Sequence, residues 1–187
     1  MKIKWALNEL KKFKEESITL SGQVDLTEAL KNRNQLILDA APLTMDGLLT
    51  VESADEFLVD LNLEIRLVLP SSRSLEPVEV DLRIPFSETY LTSGTVIDPE
   101  KYGEQEIIVE LDSETLDLHK PLEDAVLTAI PTQVFTPEEL KSGEMPSGSD
   151  WKVVSEDAYG EGVRERLSEK EDPRFAALKG LFSEEDE

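Results

Sequence analysis

From Phe57 to Leu69 the odd positions are Phe57, Val59, Leu61, Leu63, Ile65, Leu67 and Leu69, while the even ones are mostly polar: Glu56, Asp60, Asn62, Glu64 and Arg66. A period of two sustained over that length specifies a long strand with one face buried. After the connector Pro70–Pro77 (PSSRSLEP) the alternation resumes, with Val78, Val80, Leu82, Ile84 and Phe86 apolar and Glu79, Asp81 and Arg83 polar. Two such runs joined by a Pro/Ser turn predict an antiparallel β-hairpin. An isolated hairpin is marginal in water, so its apolar face requires a partner.

The remainder supplies candidate partners. Lys2–Glu16 places Trp5, Leu7, Leu10 and Phe13 close to helical spacing among lysines and predicts a short amphipathic helix docked on the sheet, its lysines neutralising acidic neighbours. Ile18, Leu20, Gly22, Val24 and Leu26 alternate as a strand, and Thr27–Asn34 is a polar connector that a helix can fill. Leu36–Leu38 and Gly47–Glu52 read as two further short strands separated by Pro42, and Glu106–Leu111 as another. Leu118, Leu122, Val126 and Ile130 recur every four residues, so Asp117–Ile130 reads as a helix with Pro121 in its first turn and Pro131 ending it. The fold class is therefore α+β. We expect a twisted, mostly antiparallel sheet of about six strands, with barrel closure left open, and N-terminal, middle and C-terminal helices.

A compositional break follows Pro131. Residues 1–131 read as a sheet-based globular domain, and 132–187 as an acidic, largely flexible tail. Thr136–Gly162 is rich in Pro, Gly, Ser and Thr, with few large apolar groups beyond Trp151, Val153 and Val154, a combination that offsets little ordering entropy. One weak strand is expected at Trp151–Val154. Asp172 and Pro173 provide a cap and a first helical residue for a short docking helix near 173–182, with Phe175, Leu178 and Phe182 on one face, before an acidic end.

Charge limits the partners. Nineteen basic against 41 acidic side chains leave a formal net charge of −22, which repels phosphate backbones and anionic lipid and favours basic proteins or cations. Between Val96 and Ile130 ten carboxylates face only Lys101 and Lys120. Cysteine is absent, which removes disulfides, thiolate metal sites and a cysteine nucleophile. No long apolar run or signal peptide is visible, so a cytoplasmic protein with no membrane contact is expected.

No catalytic constellation stands out, and the chain is expected not to be an enzyme. His119 is the single histidine; with no nucleophile beside it, it reads as a surface or capping residue rather than a general base. Asp98 with Glu100, and Glu110 with Asp112 and Glu114, do not match the spacing of a calcium loop and read as a solvated acidic face. Arg66, Arg73 and Arg83 cluster around the hairpin without aromatic partners suited to base stacking, and can balance Glu64, Glu76 and Asp81 across the sheet.

Ser71–Val78 (SSRSLEPV) resembles the C-x-R-C-L-E-P-V turn of the YceD-like family, the large ribosomal RNA subunit accumulation proteins. The resemblance extends to the strand before the turn, the acidic loop after Pro85-Phe86, the helix after Asp117-Leu118 ending in LTAIP, the terminal DPRFAALKGLF containing Asp172 and Arg174, and the Trp5–Leu10 opening of Gram-positive members. It departs at Ser71 and Ser74, where many members carry cysteines. Metal binding is not carried over, and Pro70, Pro77 and the turn's own hydrogen bonds must hold it. The resemblance implies a factor needed for large-subunit ribosomal RNA to accumulate, with no known catalysis and no cofactor. Family genes commonly lie beside that of a small basic ribosomal protein. Together with the charge, this points to a basic ribosomal protein or a large-subunit precursor particle as partner. The candidate surfaces are the Val96–Asp124 segment and the acidic tail. The alternatives are direct RNA contact through Arg66, Arg73, Arg83 and the basic N-terminal segment, and a small-ligand site inside a closed barrel.

Overall fold

The computed structural model describes residues 1–13, 16–95, 101–103, 107–142, 147–154 and 156–169. Met1–Thr136 and Pro137–Glu187 are two compact units. Within the first, chain order is β1 (Lys4–Ala6), α1 (Leu7–Leu10) with a 3₁₀ turn at Lys11–Phe13, β2 (Ser17–Val24) and α2 (Thr27–Arg33). Then come β3 (Asp39–Ala40), β4 (Leu43–Ser53), β5 (Glu56–Pro70), β6 (Pro77–Thr92), β7 (Ile107–Leu111), β8 (Thr115–Asp117) and α3 (His119–Ala129).

The long hairpin is the centre of the main sheet, whose order is β2-β4-β5-β6-β7, with β3 beside β5. β5 and β6 pair antiparallel from Glu56↔Leu91 to Pro70↔Pro77, so the alternation in both runs meets on one face. The odd residues from Phe57 to Leu69 are at most 4% exposed. They pack with Leu26 and Leu30 around α2, with Leu122 and Val126 of α3, and with Ile3, Trp5, Leu7 and Leu10. β7 joins β6 in parallel, from Glu88↔Ile107 to Thr92↔Leu111. β1 pairs with β8 in a separate two-stranded ribbon. The architecture is thus α+β with a mostly antiparallel sheet, as the periodicities imply. The sheet does not close: β2 and β7 are its ends, and the barrel interior a ligand would need is not formed.

Several local expectations are corrected. Lys2–Glu16 is not one helix. Ile3, Trp5 and Leu7 are buried at every second residue, which is a strand's period, and only Leu7–Leu10 is α-helical. No strand forms at Leu36–Leu38. The Asn34 side chain accepts the Leu36 N–H at 3.0 Å, a turn that leaves Leu36 and Leu38 exposed and buries Ile37, and strand pairing starts at Asp39. β4 begins at Leu43 rather than Gly47, because Pro42 precedes the strand instead of interrupting it. β8 was not foreseen, since three residues carry too little periodicity to announce a strand. Val78, Val80, Leu82 and Ile84, read as buried, are half-buried, because β6 lies at the sheet margin along this stretch.

In the second unit α4 (Pro137–Ser142) and α5 (Glu156–Glu169) are helical, where the sequence suggested no regular element. At Trp151–Val154 there is a lone bridge, Ser147↔Lys152, in place of a strand. Glu106 and the segment Asp172–Phe182 lie outside the described residues.

Candidate interaction surfaces

The sheet's solvent face carries Arg66 and Arg83 within a cross-strand charge lattice. The hairpin register sets Arg66 opposite Asp81 and Glu64 opposite Arg83. Arg66 Nε and Nη2 donate to the Asp81 carboxylate at 2.6 and 3.2 Å, and Nη1 lies 3.3 Å from Glu79. Arg83 Nε lies 3.3 Å from Glu64. The hydrogen bond from Arg66 holds the Asp81 carboxyl below its ordinary value. All of these groups are solvated, so their energetic contribution is small. An open trough of about 420 Å³ crosses this face between Gln23, Thr44, Glu64, Arg66, Asp81 and Arg83. The structure therefore brings Arg66 and Arg83 together, but sets each on a carboxylate.

Arg73 lies apart from them, in the turn, its guanidinium 4.5 Å above the Phe135 ring. The turn itself is ordered by hydroxyls. Ser71 is fully buried, and its Oγ accepts the N–H groups of Arg73 at 3.0 Å and Ser74 at 3.3 Å. The Ser71 N–H donates to the Glu76 carbonyl at 2.8 Å. Ser72 N–H donates to the Val134 carbonyl and Val134 N–H to Ser72 Oγ, fastening the segment after α3 to the hairpin tip. Leu75 takes a left-handed backbone, φ 64°, so that the turn closes. A buried hydroxyl here does the work of orienting the loop. Ser71→Ala removes the acceptor of two N–H groups and is expected to lower stability by about 2 kcal/mol in chemical denaturation. An unchanged midpoint would show that the turn does not depend on it.

The acidic candidates do not converge. Glu110 turns to the Gly94 N–H, which its Oε1 accepts at 3.1 Å. Asp112 and Glu114 instead line a depression with Asp55 and Lys11, whose charged groups are 3.5 Å apart. Asp98, Glu100, Asp172 and Arg174 lie outside the described residues. Among the described residues no three His, Cys, Asp or Glu side chains gather to hold a metal ion. His119 sits at the entry to α3, its Nδ1 2.7 Å from Asp117, which also accepts the His119 backbone N–H. Burial would raise the Asp117 carboxyl, but Lys4 and these two donors outweigh it and carry it down to about 2.

Two carboxylates, Glu56 buried and Glu88 half-buried, escaped sequence reading. Glu56, at the start of β5, receives Lys101 Nζ on one oxygen and the Tyr102 hydroxyl on the other at 3.0 Å. Residues 101–103 are thereby pinned to the sheet. The signal available was that Lys101 is one of two basic residues in a long acidic stretch. Glu88, on β6, accepts the hydroxyl hydrogen bond of buried Tyr90. Burial raises the Glu88 carboxyl, Tyr90 opposes this, and nearby Asp124 adds to it. Its folded value thus lies above the unfolded one, so its stabilising contribution is complete below the ordinary carboxyl pKa and is lost as pH rises through the raised value. Glu88→Gln is expected to melt higher than wild type at pH 7, with the gap closing near pH 4; equal melting at both would remove the charge cost.

These features define an acidic α+β protein with an open sheet, whose Arg66 and Arg83 are matched to its own carboxylates. The family model described as large ribosomal RNA subunit accumulation protein YceD matches residues 59–182, and the chain belongs to that family. It is 27% identical over 186 residues, 99% of each chain, to the "Uncharacterized protein YlbN" of Bacillus subtilis (strain 168). No solved structure matches.

Proposed function

We propose that this protein supports accumulation of large-subunit ribosomal RNA as a non-enzymatic assembly factor in the cytoplasm, binding a basic ribosomal protein or a precursor particle. Family membership supports the pathway. The charge balance supports the mode: with a net charge of −22, and with Arg66 and Arg83 set on Asp81 and Glu64, the sheet face offers little to a phosphate backbone. A basic protein surface meets complementary potential over the same area, and Glu110, Asp112 and Glu114 are candidate contacts. Among the described residues no helix is long and apolar enough to cross a membrane.

Depletion should lower the ratio of large- to small-subunit ribosomal RNA, and complementation should restore it. An unchanged ratio removes the pathway. Pulldown at low salt should recover a basic ribosomal protein or particle; recovery of naked RNA alone would overturn the protein-contact mode and restore direct RNA binding.

A further inference from the structure

Among the described residues, one long edge of the main sheet is unpaired. On β5 the carbonyls of Arg66 and Val68 accept the N–H groups of Ala41 and Leu38, so the even residues of this strand direct their backbone toward β3 and β4. In an antiparallel ladder both backbone groups of a residue point the same way and neighbours alternate, so Ile65, Leu67 and Leu69 bond to β6. Their register partners are Leu82, Val80 and Val78. The odd residues Glu79, Asp81, Arg83 and Ser87 therefore direct their N–H and C=O groups away from β5. Pro77 and Pro85 fall in the same set, where a missing N–H costs the β5 ladder nothing. β7 pairs from Glu88 onward in a parallel register that uses the Ser87 carbonyl, so among the described residues no strand pairs with Pro77–Phe86 or with the Ser87 N–H on that side. Along the same stretch Val78, Val80, Leu82 and Ile84 remain half-buried at the margin of the core.

We propose that this edge pairs antiparallel with the same edge of a second copy of the chain, about a twofold axis at Leu82. The register follows from two independent features. The open stretch runs from Pro77 to the Ser87 N–H, so matching it to itself end to end places Leu82 opposite Leu82; Pro77, which has no N–H, does not need the Ser87 carbonyl opposite it. That register also sets Asp81 opposite Arg83 twice, once on each side of the axis, and Glu79 opposite Pro85. Sliding by two residues in either direction brings Asp81 onto Asp81 or Arg83 onto Arg83, which is unfavourable. Asp81 and Arg83 would exchange backbone hydrogen bonds across the axis, and the Arg66–Asp81 and Arg83–Glu64 pairs would join into one lattice. On the other face Val80 meets Ile84 and Leu82 meets Leu82, covering the half-buried row. The two prolines and the charged residues discourage other strands from adding, so the edge is selective rather than generally adhesive. Two chains of charge −22 repel at long range, and added salt therefore favours this pairing.

The test uses the full chain. Sedimentation at about 0.15 M and 0.5 M salt, over concentrations from about 1 to 100 µM, should show a mass rising from 21.0 kDa toward twice that value, more readily at the higher salt. The chain has no cysteine, so Leu82→Cys introduces a single thiol. At the axis the two Cα atoms would be about 4.5 Å apart, within disulfide reach, whereas Val78→Cys would place its thiols about 27 Å apart. Oxidation should link the first variant and leave the second single. Asp81→Lys and Arg83→Glu should each lose self-association, and their equimolar mixture should recover it, because both charge pairs are complementary in the mixed dimer. Constant 21.0 kDa at every concentration, equal linking of the two cysteine variants, or no recovery on mixing would each overturn the proposal.

Discussion

Gly47→Ala is expected to destabilise the protein by roughly 4 kcal/mol, a large fraction of the stability of an ordinary domain. Gly47 sits in β4 opposite Leu61. A Cβ there would lie 2.1 Å from the Asp60 carbonyl oxygen and 2.8 Å from the Leu61 Cα. Both are backbone atoms of the central strand, so no side-chain rotation relieves the overlap; β4 and β5 must separate. Gly94 is the control. Its φ of 82° favours glycine, but no atom lies within 4 Å of an added Cβ, so alanine there meets only a backbone penalty of about 1 kcal/mol. Thermal melting of the two variants checks this: similar losses would mean the close approach at Gly47 is relieved by relaxation.

Phe57→Ala is the second large effect, with an expected loss of about 4 kcal/mol, or roughly 10 °C in melting temperature. Phe57 is fully buried at the start of β5, between Val51 of β4 and Tyr90 of β6. Truncation removes its transfer energy and leaves a cavity that three paired backbones prevent from collapsing. Leu48→Ala should change stability by no more than about 0.5 kcal/mol, because Leu48 is exposed and its loss opens no void. If the two variants melted together, the hairpin would not be the centre of the core.

Much of the fold was legible because β5 and β6 are long. Over their length a period of two is repeated often enough to exclude a helix, and the Pro70–Pro77 turn fixes which residues face each other. α3 was legible for the same reason at helical spacing. The N-terminal segment was misread because Trp5, Leu7 and Leu10 fit a helix as a set, while Ile3, Trp5 and Leu7 fit a strand, and only the distant partner Thr115–Asp117 decides between them. The sequence offered Arg66, Arg73 and Arg83 only as a set facing Glu64, Glu76 and Asp81; the register of the hairpin assigns Arg66 to Asp81 and Arg83 to Glu64. The Glu56–Lys101–Tyr102 contact was not visible, because it joins groups some 45 residues apart and no periodicity links them. The hydroxyl role of Ser71 was anticipated only as hydrogen bonding within the turn; its burial comes from the Val134 segment crossing the tip.

The β1–β8 ribbon has a consequence for how the chain is made. Trp5 has its strand partner at Leu116, and the Leu118 N–H bonds back to the Ile3 carbonyl at 2.9 Å. At a synthesis rate of about 5–20 residues per second, Trp5 waits roughly 5–20 s before its strand partner exists. A contact of such sequence separation also carries a loop-closure cost, so this ribbon is expected to form after the local hairpin. Ile3, Trp5 and Leu7 therefore lack their β8 partner until that segment is made, and a nascent chain stalled before Leu116 is expected to present them to chaperones.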